Sequence, residues 1–147
     1  MAEPVAGLSS PDLEEEFSSP YVKKIVDALQ DDSFVVIYHN CGDNVPKMLD
    51  SIMKTGCAAY HFGNAMDMEK DIIPQVSADM VVMGNIDPAG TLCMGTPEKV
   101  REETTALLER CSKYPNFVLS SGCDIPPMTP FENIDAFFAA SNEFYGK

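Results

Sequence analysis

Four short apolar runs, each followed by a segment with helical spacing, constrain this chain more than any other feature. Phe34 to Tyr38, Ala58 to Phe62, Met80 to Met83 and Phe117 to Leu119 are too uniformly apolar to keep a solvated face, so they read as strands of a sheet buried on both sides. Helical stripes lie before and between them. Val22, Ile25, Val26 and Leu29 repeat at i, i+3, i+4 and i+7, and so do Val45, Met48, Leu49, Ile52 and Met53. Gly56 stands where the second helix needs a left-handed C-terminal residue, and Thr96-Pro97 and Thr129-Pro130 mark two later helix starts. Thr129 with Glu132 fits a capping box. The segment Asp67 to Val76 is a helix that Pro74 must end or kink. The pattern is an α/β chain of parallel strands. A closed (β/α)8 barrel takes roughly 250 residues, so the 147 residues here supply four strand-helix units, half of such a barrel. Either the sheet stays open or another chain completes it. Residues 1–19, rich in Ser, Pro and Glu, read as an N-terminal loop or loosely held arm, and 20–147 as the half-barrel domain.

Composition narrows the partners. With 10 basic and 23 acidic side chains the net charge is -13, which argues against nucleic acid or an anionic membrane as the main partner. No stretch approaches the roughly 20 apolar residues of a membrane span, and the opening residues lack the basic and apolar regions of a signal peptide. The expected location is cytoplasmic. Five cysteines without regular spacing do not suggest a disulfide framework, so free thiols are available to a metal.

Three residues carry the chemistry. His39 and Cys41, in Tyr38-His39-Asn40-Cys41-Gly42, and Cys123, in Ser121-Gly122-Cys123-Asp124, provide one imidazole and two thiolates. That set suits zinc and leaves a position open for substrate or water. His39 and Cys41 lie two residues apart at a strand's C-terminal end, so in extended geometry both side chains point to one face. Cys123 follows the fourth strand, three strand spacings or about 14 Å away along a flat sheet. Only a curled sheet brings it to the other two. Cys57, Cys93 and Cys111 read as structural. His61 is either a fourth ligand, a substrate contact or a hydrogen-bonded histidine inside the barrel. Asn85 and Asp87 either orient the imidazole, contact substrate or cap their loop. Asp124 either supports its neighbouring ligand or is solvated, and Glu14-Glu15-Glu16 reads as a wet surface.

Several longer motifs carry a resemblance. Gly84-Asn85-Ile86-Asp87-Pro88, Gly95-Thr96-Pro97-Glu98-Lys99-Val100, Ser120-Ser121-Gly122-Cys123-Asp124-Ile125-Pro126-Pro127 and Thr129-Pro130-Phe131-Glu132-Asn133 resemble the C-terminal half of the uroporphyrinogen decarboxylase superfamily. The opening Ala2-Glu3-Pro4-Val5-Ala6-Gly7 resembles its segment after the fourth barrel strand. The decarboxylases have a histidine where Cys123 stands, whereas the zinc methyltransferases acting on methylated corrinoids have a cysteine. The chain is therefore similar to methylcobamide:coenzyme M methyltransferases. That resemblance implies a TIM barrel fold, zinc on His39, Cys41 and Cys123, and methyl transfer from a methylated corrinoid, or corrinoid protein, to a small thiol such as coenzyme M. It also implies that the N-terminal half of the barrel lies outside this sequence, so self-association or an N-terminal-half partner is expected. A tetrapyrrole-binding, decarboxylase-like domain and a zinc-stapled interaction module are the alternatives.

Overall fold

In the computed structural model, which describes residues 1–3 and 5–147, four parallel strands alternate with helices. The strands are β1 (Ile37–Asn40), β2 (Ala59–Phe62), β3 (Val81–Ile86) and β4 (Phe117–Ser121), in the sheet order β1-β2-β3-β4. The helices are α1 (Pro11–Phe17), α2 (Ser19–Leu29), α3 (Leu49–Met53), α4 (Pro97–Cys111) and α5 (Phe131–Phe144). Every strand follows its predecessor in both sequence and space, the arrangement of a barrel wall rather than of an open doubly wound sheet. The structure is thus a partial (β/α) barrel. Among the described residues, no helix is long and apolar enough to cross a membrane.

Register sorts the strand residues onto two faces. Tyr38, Tyr60, Val82 and Phe117 stand side by side across all four strands, all of them buried under the helices. Next to them in sequence, His39, His61, Met83 and Val118 form the matching row on the opposite, open face. On the helix-packed side, the i, i+4 stripe of α2 contributes Val22 and Val26, and α4 contributes Val100, Leu107, Leu108 and Cys111.

Local signals hold at some element ends and shift at others. Gly56 takes the left-handed φ of 77°, and Thr96 caps α4 by accepting the Lys99 amide at 3.3 Å. The expected capping box of Thr129 and Glu132 is absent. The helix begins one residue later, with Pro130 in the cap position, and the buried Thr129 hydroxyl has no hydrogen-bond partner. The stripe from Val45 to Met53 is not one helix. Pro46 sits in a 3-10 turn over Val45–Lys47, Met48 leaves helical geometry (ψ 2°), and only Leu49–Met53 is α-helical. Asp67 to Val76 forms a π-helical turn (Met68–Ile72) and then a 3-10 turn (Ile73–Gln75) around Pro74. Strand β1 starts later than the apolar run, because Phe34 and Val35 are exposed lead-in residues.

Within residues 1–19, Ala6–Leu8 makes a 3-10 turn and Pro11–Phe17 forms α1, capped by Ser10. The first residues pair with the edge of β1. Ala2 bridges His39 in parallel fashion, the Glu3 amide donates to the His39 carbonyl at 2.9 Å, and the His39 amide donates to the Met1 carbonyl at 2.8 Å. Of the acidic trio read as a wet surface, Glu14 is only 1% exposed. Its carboxylate accepts from the hydroxyls of Ser19 on α2 and Ser51 on α3, so this charge is satisfied by local partners.

Candidate metal centre

Two strand ends and one loop build the site. His39 lies inside β1 and points to the open face, Cys41 follows the strand by one residue, and Cys123 lies two residues past β4. The structure brings all three together: the ligand-capable atoms of His39, Cys41 and Cys123 lie within 4.8 Å of one another. Ligand atoms on a single tetrahedral zinc, at about 2.0–2.3 Å from the ion, stand roughly 3.5–3.8 Å apart, so this spacing needs only a small contraction. The His39 Nε2 to Cys123 Sγ distance is 3.3 Å. Since β1 and β4 are the two outer strands of the sheet, the approach requires the curled wall that a barrel provides.

Hydrogen bonding fixes how the imidazole presents itself. The His61 carbonyl stands 3.2 Å from His39 Nδ1; a carbonyl only accepts, so Nδ1 carries the proton and Nε2 turns its lone pair toward Cys123. Burial, then the neighbouring His61, pushes the His39 pKa below the ordinary histidine value. The ring is therefore neutral and ready to ligate at neutral pH. Burial, then the nearby Cys123, pushes the Cys41 thiol up, so without a metal it keeps its proton. A donor set of one neutral imidazole and two clustered thiols fits zinc.

The remaining candidates separate by position. His61 is next to His39 in the same row, with ring centroids 4.7 Å apart, and its Nε2 lies 2.6 Å from the Ser121 carbonyl. Asp124 lines a cleft of about 560 Å³ with His39, His61, Cys123, Ile37 and Ile125, and its carboxylate favours the charged form of His39. Asn85 and Asp87 are engaged elsewhere. Asn85 donates to the carbonyls of Gly63 and Met66 at 3.0 and 2.7 Å, and Asp87 accepts the amides of Ala89 and Gly90, capping the turn after β3. Neither hydrogen-bonds His39 among the described residues. The other cysteines stay out of the cluster: Cys57 and Cys111 are buried, and burial pushes the Cys111 thiol up to about 11.

Sequence reasoning passed over two supports. Gly63, just past β2, packs so closely on Cys41 that an added Cβ would lie 2.6 Å from both the Cα and the Cβ of Cys41. Only a residue without a side chain lets that ligand loop sit there. Ser121 donates its hydroxyl to the Cys123 carbonyl at 2.8 Å. Its place two residues before a candidate ligand is the available signal.

Comparison with known proteins agrees with this architecture. Residues 1–144 match the family described as Uroporphyrinogen decarboxylase (URO-D). The chain is 32% identical over 130 residues to the methylcobamide:CoM methyltransferase MtbA of Methanosarcina acetivorans, covering 88% of this chain and 36% of that protein. It is also 32% identical over 143 residues to the uroporphyrinogen decarboxylase of Pseudoalteromonas translucida, covering 96% of this chain and 40% of the relative. A solved methyltransferase from Methanosarcina mazei superposes with a TM-score of 0.84 at 30% identity, covering 99% of this chain and 41% of its own. The chain spans well under half the length of these relatives and corresponds to their C-terminal portion. With its sequential parallel strands and a match over nearly its whole length, this chain belongs to the uroporphyrinogen decarboxylase family.

Proposed function

We propose that this chain carries the zinc centre of a corrinoid:thiol methyltransferase, in which a methyl group passes from a methylated corrinoid to a small thiol such as coenzyme M. The observation that carries this reading is the convergence of His39, Cys41 and Cys123 within 4.8 Å at the C-terminal end of a parallel sheet, where barrels of this type hold their chemistry. Zinc bound there would supply the Lewis acidity that keeps an acceptor thiol deprotonated at neutral pH. The acceptor thiolate would take the methyl group from the corrinoid substrate, the C–S bond forming as the Co–C bond breaks with its electron pair left on the corrinoid.

The chain's own residues do the holding. His39 presents Nε2 because Nδ1 is tied to the His61 carbonyl, and Cys41 and Cys123 provide the soft donors. The cleft beside them offers apolar walls from Ile37 and Ile125 and a carboxylate from Asp124. Ile37 and Val118, 41% and 40% exposed on the open face, lie where further strand-helix units of a barrel would pack. Such units would come from adjoining sequence, another polypeptide or a second copy. They would supply the rest of the corrinoid and thiol contacts.

The test is spectrophotometric. Zinc-loaded protein, alone and with the N-terminal half of the barrel from a homologous methyltransferase, is given methylcob(III)alamin and coenzyme M. Loss of the methylcobalamin absorbance with formation of the thioether, abolished by Cys41→Ser, is the expected result. Decarboxylation of uroporphyrinogen without any metal dependence would instead favour the decarboxylase activity named for several relatives, against which Cys123 counts.

A further inference from the structure

His61 lies outside the proposed ligand set but touches the supports of two of its members. Its backbone carbonyl accepts from His39 Nδ1 at 3.2 Å, and that contact sets the tautomer which turns Nε2 toward Cys123. Its own Nε2 meets the Ser121 carbonyl at 2.6 Å. Because that carbonyl can only accept, Nε2 of His61 is the protonated nitrogen and donates. Ser121 in turn holds the Cys123 carbonyl through its hydroxyl at 2.8 Å. One residue on β2 therefore reaches β1 through its backbone and the end of β4 through its ring.

The sheet ladder does not make the second connection. Strands β2 and β4 are separated by β3, two spacings or about 10 Å apart along a flat sheet. The ring of His61 crosses that gap on the open face at the height of the ligands. No nitrogen of His61 falls within the three-residue cluster, and Nε2 is already committed to Ser121.

We infer that His61 is a positioning residue, not a fourth ligand: it ties the strand ends that carry His39 and Cys123 into one site and so fixes the curvature at which the ligands meet. This inference rests on the metal reading above. Two variants separate the roles. His61→Phe keeps a ring of similar shape but removes the donor; His61→Gln restores an N–H close to the position of Nε2. Zinc affinity is measured by competition with a chromophoric chelator, and cobalt(II) is substituted to read the thiolate-to-metal charge-transfer bands.

The expected result is a weakening of zinc binding in His61→Phe by about tenfold or more, the usual size for loss of a group that orients a ligand. The cobalt bands should shift in that variant, and His61→Gln should recover most of both properties. Zinc affinity in His61→Phe within twofold of the wild type would overturn the inference while leaving the metal site intact. It would equally be overturned if His61→Gln bound as weakly as His61→Phe and its cobalt spectrum showed one nitrogen ligand fewer. If His61→Phe does not fold, the His61→Gln affinity and spectrum decide alone. A wild type that binds neither zinc nor cobalt would remove the metal reading and this inference with it.

Discussion

The two faces of this sheet use alternate residues of the same strands to opposite ends. On one side Tyr38, Tyr60, Val82 and Phe117 are sealed under helices. On the other lies the adjacent row of His39, His61, Met83 and Val118, of which His39 and His61 line a cleft. Stability lies with the first face and chemistry with the second. The period-2 alternation of a strand separates them at a distance of one residue, so a substitution can strike one and spare the other.

The largest effect should come from emptying the helix-packed side. Phe62 is fully buried, and Phe62→Ala should cost about 3–5 kcal/mol in urea unfolding. Ile37→Ala on the open face, where the side chain is 41% exposed, should cost less than about 1 kcal/mol. Equal losses would break the distinction between the faces. Gly63→Ala comes next, since its new Cβ would press to 2.6 Å on Cys41; the overpacking should cost about 1–3 kcal/mol and weaken zinc binding together with the fold.

Acidification should act on the open face alone. Cys41, with its pKa raised by burial and by Cys123, holds a proton that a bound zinc would have to displace. Affinity should therefore rise with pH by about tenfold per unit for each proton released and fall as the pH drops. His39, its pKa lowered by burial and then by His61, competes for a proton less than an ordinary histidine does. Chelator competition at pH 6, 7 and 8 checks the slope, and a flat profile would rule out thiol ligation. A modest effect should come from the buried carboxylate held among the helices. Glu14→Gln exchanges one acceptor for a donor between the Ser19 and Ser51 hydroxyls, at a cost of about 1 kcal/mol in thermal or urea unfolding.

Much of the sheet was legible because buried parallel strands declare themselves as apolar runs, and all four runs became strands with shifts of a few residues at their ends. The candidate ligands were legible as side-chain types. Their meeting was expected only through the resemblance and the curled sheet that it implies, because sequence spacing alone leaves Cys123 three strands from His39. What these patterns missed was set partly by prolines within the segments and partly by longer-range contacts. The stripe from Val45 to Met53 predicts a continuous helix, but Pro46 tightens its start into a 3-10 turn. Thr129 resembles a cap, yet the helix begins after Pro130. Glu14 looks solvent-facing from its acidic neighbours, but hydroxyls on α2 and α3, up to 37 residues away, satisfy it inside. No periodicity encodes the pairing of Ala2 with His39, since it depends on where the first residues pass the β1 edge.

The central claim is that His39, Cys41 and Cys123 form one metal site on the wall of a partial barrel. Metal content of the purified protein, measured by plasma mass spectrometry on wild type, Cys41→Ser and Cys123→Ser with far-UV circular dichroism on each, tests it most directly. The account predicts about one zinc per wild-type chain, little or none in either variant, and unchanged secondary structure in all three. A wild type without zinc, or variants that retain it in full, would contradict the account.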